Sequence, residues 1–154
     1  MIQSVKPAPT DETDGLPMPK RIWAVISVGF ALCMSVLDVN IINIVLPTLS
    51  HDFGTSPAVT TWIINGYQLA IVVSLLSFSA LGEIIGYRKV YLSGIGLFCI
   101  TSLICALSDS FWTLTIARIF QGFSASAITS VNTAQLRYIY PKSQLGRGMG
   151  INAM

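Results

Sequence analysis

Four long hydrophobic runs dominate the chain: Ile22 to Leu49, Ala58 to Leu81, Val90 to Leu107 and Phe111 to Leu136. Each is close to or above the roughly 20 residues that cross a bilayer as an α-helix. None shows the period-two alternation of a membrane β-barrel strand, so the pattern predicts an all-α, polytopic membrane helical bundle. Residues 1–21 form a polar segment with Asp11, Glu12, Asp14 and several prolines, a composition that predicts a disordered tail. A fifth apolar helix begins at about Arg147, close to Met154. The expectation is therefore four transmembrane helices, the start of a fifth, and further spans outside this sequence.

Charge gives the runs a direction. Lys6, Lys20 and Arg21 precede the first run, Arg88 and Lys89 join the second to the third, and Arg137, Lys142 and Arg147 follow the fourth. The connections at 50–57 and 108–110 hold no Lys or Arg. By the positive-inside rule the N-terminus is cytoplasmic and the chain is a multi-pass protein of the inner (plasma) membrane. Lys20 and Arg21 could flank a signal peptide, but no small-residue cleavage site follows, so the first run reads as a retained span.

Composition removes other classes. Hydrophobic residues make up 53%, charged residues 10%, and mean hydropathy is +0.68, far from a soluble domain near a quarter charged. The lipid bilayer is the expected surrounding partner, and no nucleic-acid partner is expected. Cys33, Cys99 and Cys105 form no CxxC pair and read as small hydrophobes, implying no disulfide or metal site. HExxH and Gly-x-Ser-x-Gly are absent and His51 is the sole histidine, so an intramembrane enzyme is not expected.

Ionisable residues within spans are costly, by about 2.5 to 3.5 kcal/mol on insertion scales, and mark function by default. Asp38 and Arg118 are the two that qualify. Asp38 precedes Pro47 by nine residues, and Arg118 follows Phe111 by seven. At 1.5 Å per residue they lie about 13 and about 10 Å below the same outer surface. An acid and a base at matching depth can offset each other's desolvation, and an acid so placed is a candidate to exchange a proton. The plainer alternative is a static ion pair joining two helices. Ser27, Ala31 and Ser35 share the Asp38 face, so that stripe is expected to meet protein or water. Asn40 and Asn43 lie on another face and are expected to bond a neighbouring helix. Arg118, Gly122, Ser126 and Ser130 recur every four residues, a spacing that lets helices approach closely.

Three motifs resemble those of one family. Leu37-Asp38-Val39-Asn40-Ile41-Ile42-Asn43-Ile44-Val45-Leu46-Pro47 is similar to the LDxTIVNVALP signature of fourteen-span drug:proton antiporters of the EmrB/QacA type, within the major facilitator superfamily. Asn40 stands where Thr is usual. Trp62, Tyr67 and Leu69 continue the likeness in the second run. Ser79 to Lys89 resembles the GxLxDRxGRK loop, with Glu83 in the Asp position, Gly86 at the turn, and Arg88 and Lys89 closing it; Ser79 and Ile84 depart from the pattern. Leu114 to Ala125 is close to LxxxRxxQGxGA, which includes Arg118, Gln121 and Gly122.

The resemblance implies the N-terminal part of a major facilitator fold, with a small-molecule substrate, protons and the remaining spans of a longer transporter as partners. It implies proton coupling by Asp38 and Arg118, support from Asn40, Asn43, Pro47, Gln121 and Gly122, and a conformational role for Glu83, Gly86, Arg88 and Lys89. It implies no cofactor. Drug-like efflux by proton antiport is the leading reading, with a proton symporter for uptake and a small four-span scaffold or binding protein as alternatives. The fifth-span motif that marks exporters lies beyond Met154.

Overall fold

The computed structural model describes residues 18–139, and every regular element among them is a helix. They are α1 (Met18–Asp52), α2 (Pro57–Thr60), α3 (Trp62–Ile85), α4 (Tyr87–Ala106) and α5 (Phe111–Ile139). The expected tail lies outside the described residues as far as position 17, but Met18 to Arg21 already belong to α1. The expected fifth helix also lies outside them.

The breaks between helices follow local chemistry. α1 runs through Pro47, which has no N–H to bond the carbonyl four residues back. It ends near Gly54, which adopts a left-handed φ of 59°. Ser56 then caps α2, accepting a hydrogen bond from the Val59 amide at 3.4 Å. Between α3 and α4 the break is Gly86 alone, at φ 97° and ψ 132°, a backbone that side-chain-bearing residues rarely adopt. The chain therefore turns within one residue, and Arg88 and Lys89 fall in the first turn of α4 rather than in a loop.

Contacts between named residues fix the helix directions. Gly66 meets Ile119, and Gly82 approaches Val131, so α3 and α5 run parallel. Gly94 packs on Ala127 and Ile128 while Cys105 bonds Gln121, so α4 runs antiparallel to α5. Tyr91 donates to the Ser27 carbonyl at 3.1 Å, near the start of both α1 and α4. The long helices thus alternate in direction, as successive membrane crossings must. This brings Lys20, Arg21, Glu83, Arg88 and Lys89 to one end of the bundle.

Among the described residues, three helical stretches are long and apolar enough to cross a membrane: 19–52, 57–85 and 87–106. α5 has the length, at 29 residues, but carries Arg118, Gln121 and Asn132 among many Ser and Thr. Many of its polar side chains are turned inward: Arg118, Gln121, Ser124, Ser126 and Asn132 are all buried against neighbouring helices. Helix packing, not apolarity, accommodates α5.

The core divides into two apolar clusters. The larger, nearer the basic end, contains Val28, Ala31, Tyr67, Val90, Tyr91, Phe98, Ala125, Ile128 and Val131. The smaller, nearer the opposite end, contains Ile42, Ile63 and Leu114. Asp38 falls between them along α1, and Arg118 and Gln121 fall between them along α5.

Candidate proton-coupling site

Between the two clusters lies a polar layer centred on side chains of α1 and α5. Arg118 Nη1 donates to Asp38 Oδ2 at 2.7 Å, and Gln121 Nε2 donates to Asp38 Oδ1 at 3.2 Å. Each carboxylate oxygen therefore holds a separate donor. The acid and base side chains are 14% and 9% exposed, so the pair is largely withdrawn from solvent. At a short, charge-assisted distance in a weakly polar interior, its attraction is far stronger than that of a surface pair. Removing either partner alone leaves the other charge buried.

α5 can present these groups because the next turn of its surface carries small residues. A Cβ on Gly122 would collide with the Tyr67 carbonyl oxygen and lie 2.9 Å from Ala70 Cβ. Glycine there lets the backbones of α3 and α5 approach closely, which fixes Gln121 beside the contact and Arg118 one turn away. Ser126 continues the contact, donating to the Ile71 carbonyl at 3.3 Å. Ser130 instead bonds the Ala127 carbonyl of its own helix at 3.3 Å.

The face of α1 around Asp38, expected to meet protein or water, meets protein at Ala31 and Ser35 and is exposed at Ser27. Ala31 is buried, Ser35 is half-buried and donates to the Ala31 carbonyl, and the Ser27 carbonyl takes the Tyr91 hydroxyl. The asparagines behave differently from the sequence expectation. Asn40 donates to Val36 O at 2.7 Å and Asn43 to Val39 O at 3.0 Å, both within α1, and both side chains are exposed. On a face that no described helix covers, the carbonyl four residues back is the nearest acceptor. Pro47 is exposed on the same helix.

The residues of the predicted conformational loop sit at the basic end, far along the helices from Asp38. Glu83 is exposed in the last turn of α3 and forms no ion pair among the described residues, while Arg88 and Lys89 are exposed in the first turn of α4. Each charge is at the less favourable end of its own helix dipole. Gly82, beside Glu83, has no room for a side chain: a Cβ would lie 2.7 Å from the Tyr87 ring.

Two contributors escape a reading of the sequence. Cys105 Sγ lies 3.5 Å from Gln121 Oε1 and donates to it, extending the polar layer onto α4. Tyr67, buried on α3, lies within electrostatic reach of both Asp38 and Arg118. A thiol reads as a hydrophobe in sequence, and Tyr67 gave no signal beyond its place in a motif. Arg118 keeps its Nε buried without a partner, so the guanidinium has not spent all its donors. Among the described residues no cluster of His, Cys, Asp and Glu could hold a metal ion.

Comparison with known proteins defines the class. Residues 28–154 match the Major Facilitator Superfamily, and the chain belongs to that family of membrane transporters. It is 51% identical over 145 residues to the uncharacterized transporter YebQ of Escherichia coli (strain K12), covering 94% of this chain and 32% of that protein. It is 32% identical to the drug efflux pump JefA of Mycobacterium tuberculosis, covering 82% of this chain and 25% of the pump. It is 31% identical to the tetracenomycin C resistance and export protein of Streptomyces glaucescens, covering 95% of this chain and 27% of that protein. The chain thus spans a quarter to a third of the length of these curated relatives.

Proposed function

We propose that this chain forms the first four membrane spans of a proton-coupled exporter of drug-like or other small amphipathic compounds, of the fourteen-span EmrB/QacA type. The observation that carries the reading is the polar layer itself: a carboxylate held by Arg118 and Gln121 between two apolar clusters. Protonation of Asp38 removes its attraction to Arg118, so taking up a proton weakens the main polar tie between α1 and α5. A helix so released can move relative to the rest, which couples proton occupancy to conformation. The names of the drug efflux pump and the tetracenomycin C export protein support efflux as the direction.

In this reading the basic end, with Lys20, Arg21, Arg88 and Lys89, faces the cytoplasm, and the protein is multi-pass in the inner (plasma) membrane. The substrate path lies between these spans and those of the remaining protein. Asn40, Asn43 and Pro47 support the α1 end of the site, while Glu83 and Gly86 act at the cytoplasmic turn.

The test uses the intact transporter in everted vesicles with an acidified lumen. Addition of substrate should dissipate the proton gradient in the wild type and leave it untouched in Asp38→Asn. Dissipation undiminished by Asp38→Asn would return the pair to a static role. Substrate entry that strengthens the gradient, carrying protons inward with it, would favour an uptake symporter on the same fold.

A further inference from the structure

Gln121 is fully buried, and both ends of its amide are committed: the NH₂ to Asp38 Oδ1 at 3.2 Å, the oxygen to the Cys105 thiol at 3.5 Å. An amide has two orientations that exchange its donor and acceptor ends. In the one observed, an N–H faces the carboxylate, which suits an ionised acid. The opposite orientation would set Oε1 against Oδ1, a clash of acceptors while Asp38 is ionised.

Protonation reverses that preference. Arg118 Nη1 occupies Oδ2 at 2.7 Å, so a proton arriving from water is accepted at Oδ1, the oxygen facing Gln121. An O–H there meets the N–H of Gln121 donor to donor. The amide relieves this by turning over, so that Oε1 accepts from the carboxyl group and Nε2 faces the sulfur. The thiol acts on this equilibrium because it donates only to the first orientation, while a sulfur acceptor rewards the second weakly.

We propose that Cys105, acting through the amide of Gln121, is a positioning residue that biases Asp38 toward its ionised form; the inference rests on the reading of Asp38 as the proton carrier. The surroundings of Asp38 are otherwise fixed by few groups. α5 supplies Arg118 as the charged neighbour, α3 supplies Tyr67, α4 supplies Cys105, and α2, with sequence Pro-Ala-Val-Thr, supplies no titratable group. Cys105 and Tyr67 are neutral at ordinary pH, so within this layer the balance is set by Arg118 and by which end of the amide faces the acid.

The test follows the protonated-carboxyl C=O band of the intact transporter by infrared difference spectroscopy across pH, with the band assigned by its loss in Asp38→Asn. Cys105→Ala frees the amide to turn, so the pH at which the band half-develops should rise, by up to about half a unit, the worth of one neutral hydrogen bond from a weak thiol donor. Cys105→Ser keeps a donor and should titrate near the wild type. Cys105→Val keeps bulk without a donor and should follow Cys105→Ala, so a loss of packing alone cannot imitate the result. A band assigned to Asp38 whose midpoint is the same in wild type, Cys105→Ala and Cys105→Val overturns this inference and leaves the proton-carrier reading standing. If Asp38→Asn removes no titrating band, both fail together.

Discussion

α1 and α5 each carry one half of the central ion pair, yet they are held in opposite ways. Along α5 nearly every position from Leu114 to Asn132 is buried or half-buried, pressed between α3 and α4 through Gly122, Ser126, Ala127 and Ile128. Along the 35 residues of α1, Val28, Ala31 and Ile42 are the buried apolar positions, while Trp23, Phe30, Ile44 and many others are exposed. α1 meets the described bundle through those buried positions, through the partly buried Ala24, Val25, Leu32, Val39 and Leu49, and through polar ties that include the Asp38 carboxylate and the bond from Tyr91 to the Ser27 carbonyl. A charge change at Asp38 removes a polar tie from a helix with three buried apolar positions, whereas α5 keeps its close packing against α3 and α4. The same ion pair is one contact among many for α5 and one of few polar ties for α1.

Breaking the pair from its two sides should expose this asymmetry, and it is the largest effect expected. Arg118→Ala leaves a buried carboxylate with Gln121 as its remaining partner and should cost about 3 to 5 kcal/mol in the intact transporter. Asp38→Asn is nearly isosteric and leaves Arg118 a neutral acceptor, so its cost should be clearly smaller. Combining the two should recover part of the loss, because the double variant holds no buried carboxylate. Thermal unfolding in detergent reads all three. Equal destabilisation by the two single substitutions would mean that a neutral amide does nothing to offset the buried guanidinium it leaves behind.

The second effect concerns the packing that makes α5 the fixed element. Gly122→Ala places a methyl against the Tyr67 carbonyl, a backbone atom that cannot swing aside, and should cost about 1 to 3 kcal/mol. Gly96→Ala on α4 is the matched control, since nothing lies within 4 Å of its Cβ position. Removing a helical glycine there should be neutral or slightly stabilising. A Gly122→Ala protein as stable as Gly96→Ala would show that α3 and α5 separate freely, and the distinction between a fixed α5 and a loosely held α1 would collapse.

Much of this was legible in the chain because bilayers leave few ways to place polar groups. Asp38 and Arg118 stand out in apolar runs, and counting residues from the ends of those runs put them at one depth, where the structure joins them at 2.7 Å. Basic residues at one end of the bundle follow from charge alternation alone. Gly122 and Ser126 were readable as packing residues from their spacing. Cys105 was not, because its contact depends on the register between α4 and α5, set by Gly94 against Ala127 and Ile128, which no single-helix periodicity encodes. Asn40 and Asn43 misled for a related reason: an amide on a helix can always satisfy itself on its own backbone, so polarity there did not require a neighbour. The single-residue break at Gly86 was visible as a turn, but not that both flanking helices would run up to it.

The smallest effect sharpens the comparison most directly. Tyr91→Phe deletes one hydroxyl, and with it the 3.1 Å bond to the Ser27 carbonyl, while keeping the ring in the larger apolar cluster. The expected loss is about 0.5 to 1.5 kcal/mol, the usual net worth of one intramolecular hydrogen bond. The carbonyl it releases is already used within α1, so the helix itself should stay intact. The consequence should fall unevenly: amide hydrogen exchange should quicken in the first turns of α1, from Ile22 to Ala31, while α5 from Ala117 to Ile128 keeps its protection. Local opening follows the contacts that hold an element rather than the stability of the whole protein. Equal acceleration in both segments would mean that α1 and α5 open as one unit, and that the few polar ties of α1 are not what sets its freedom.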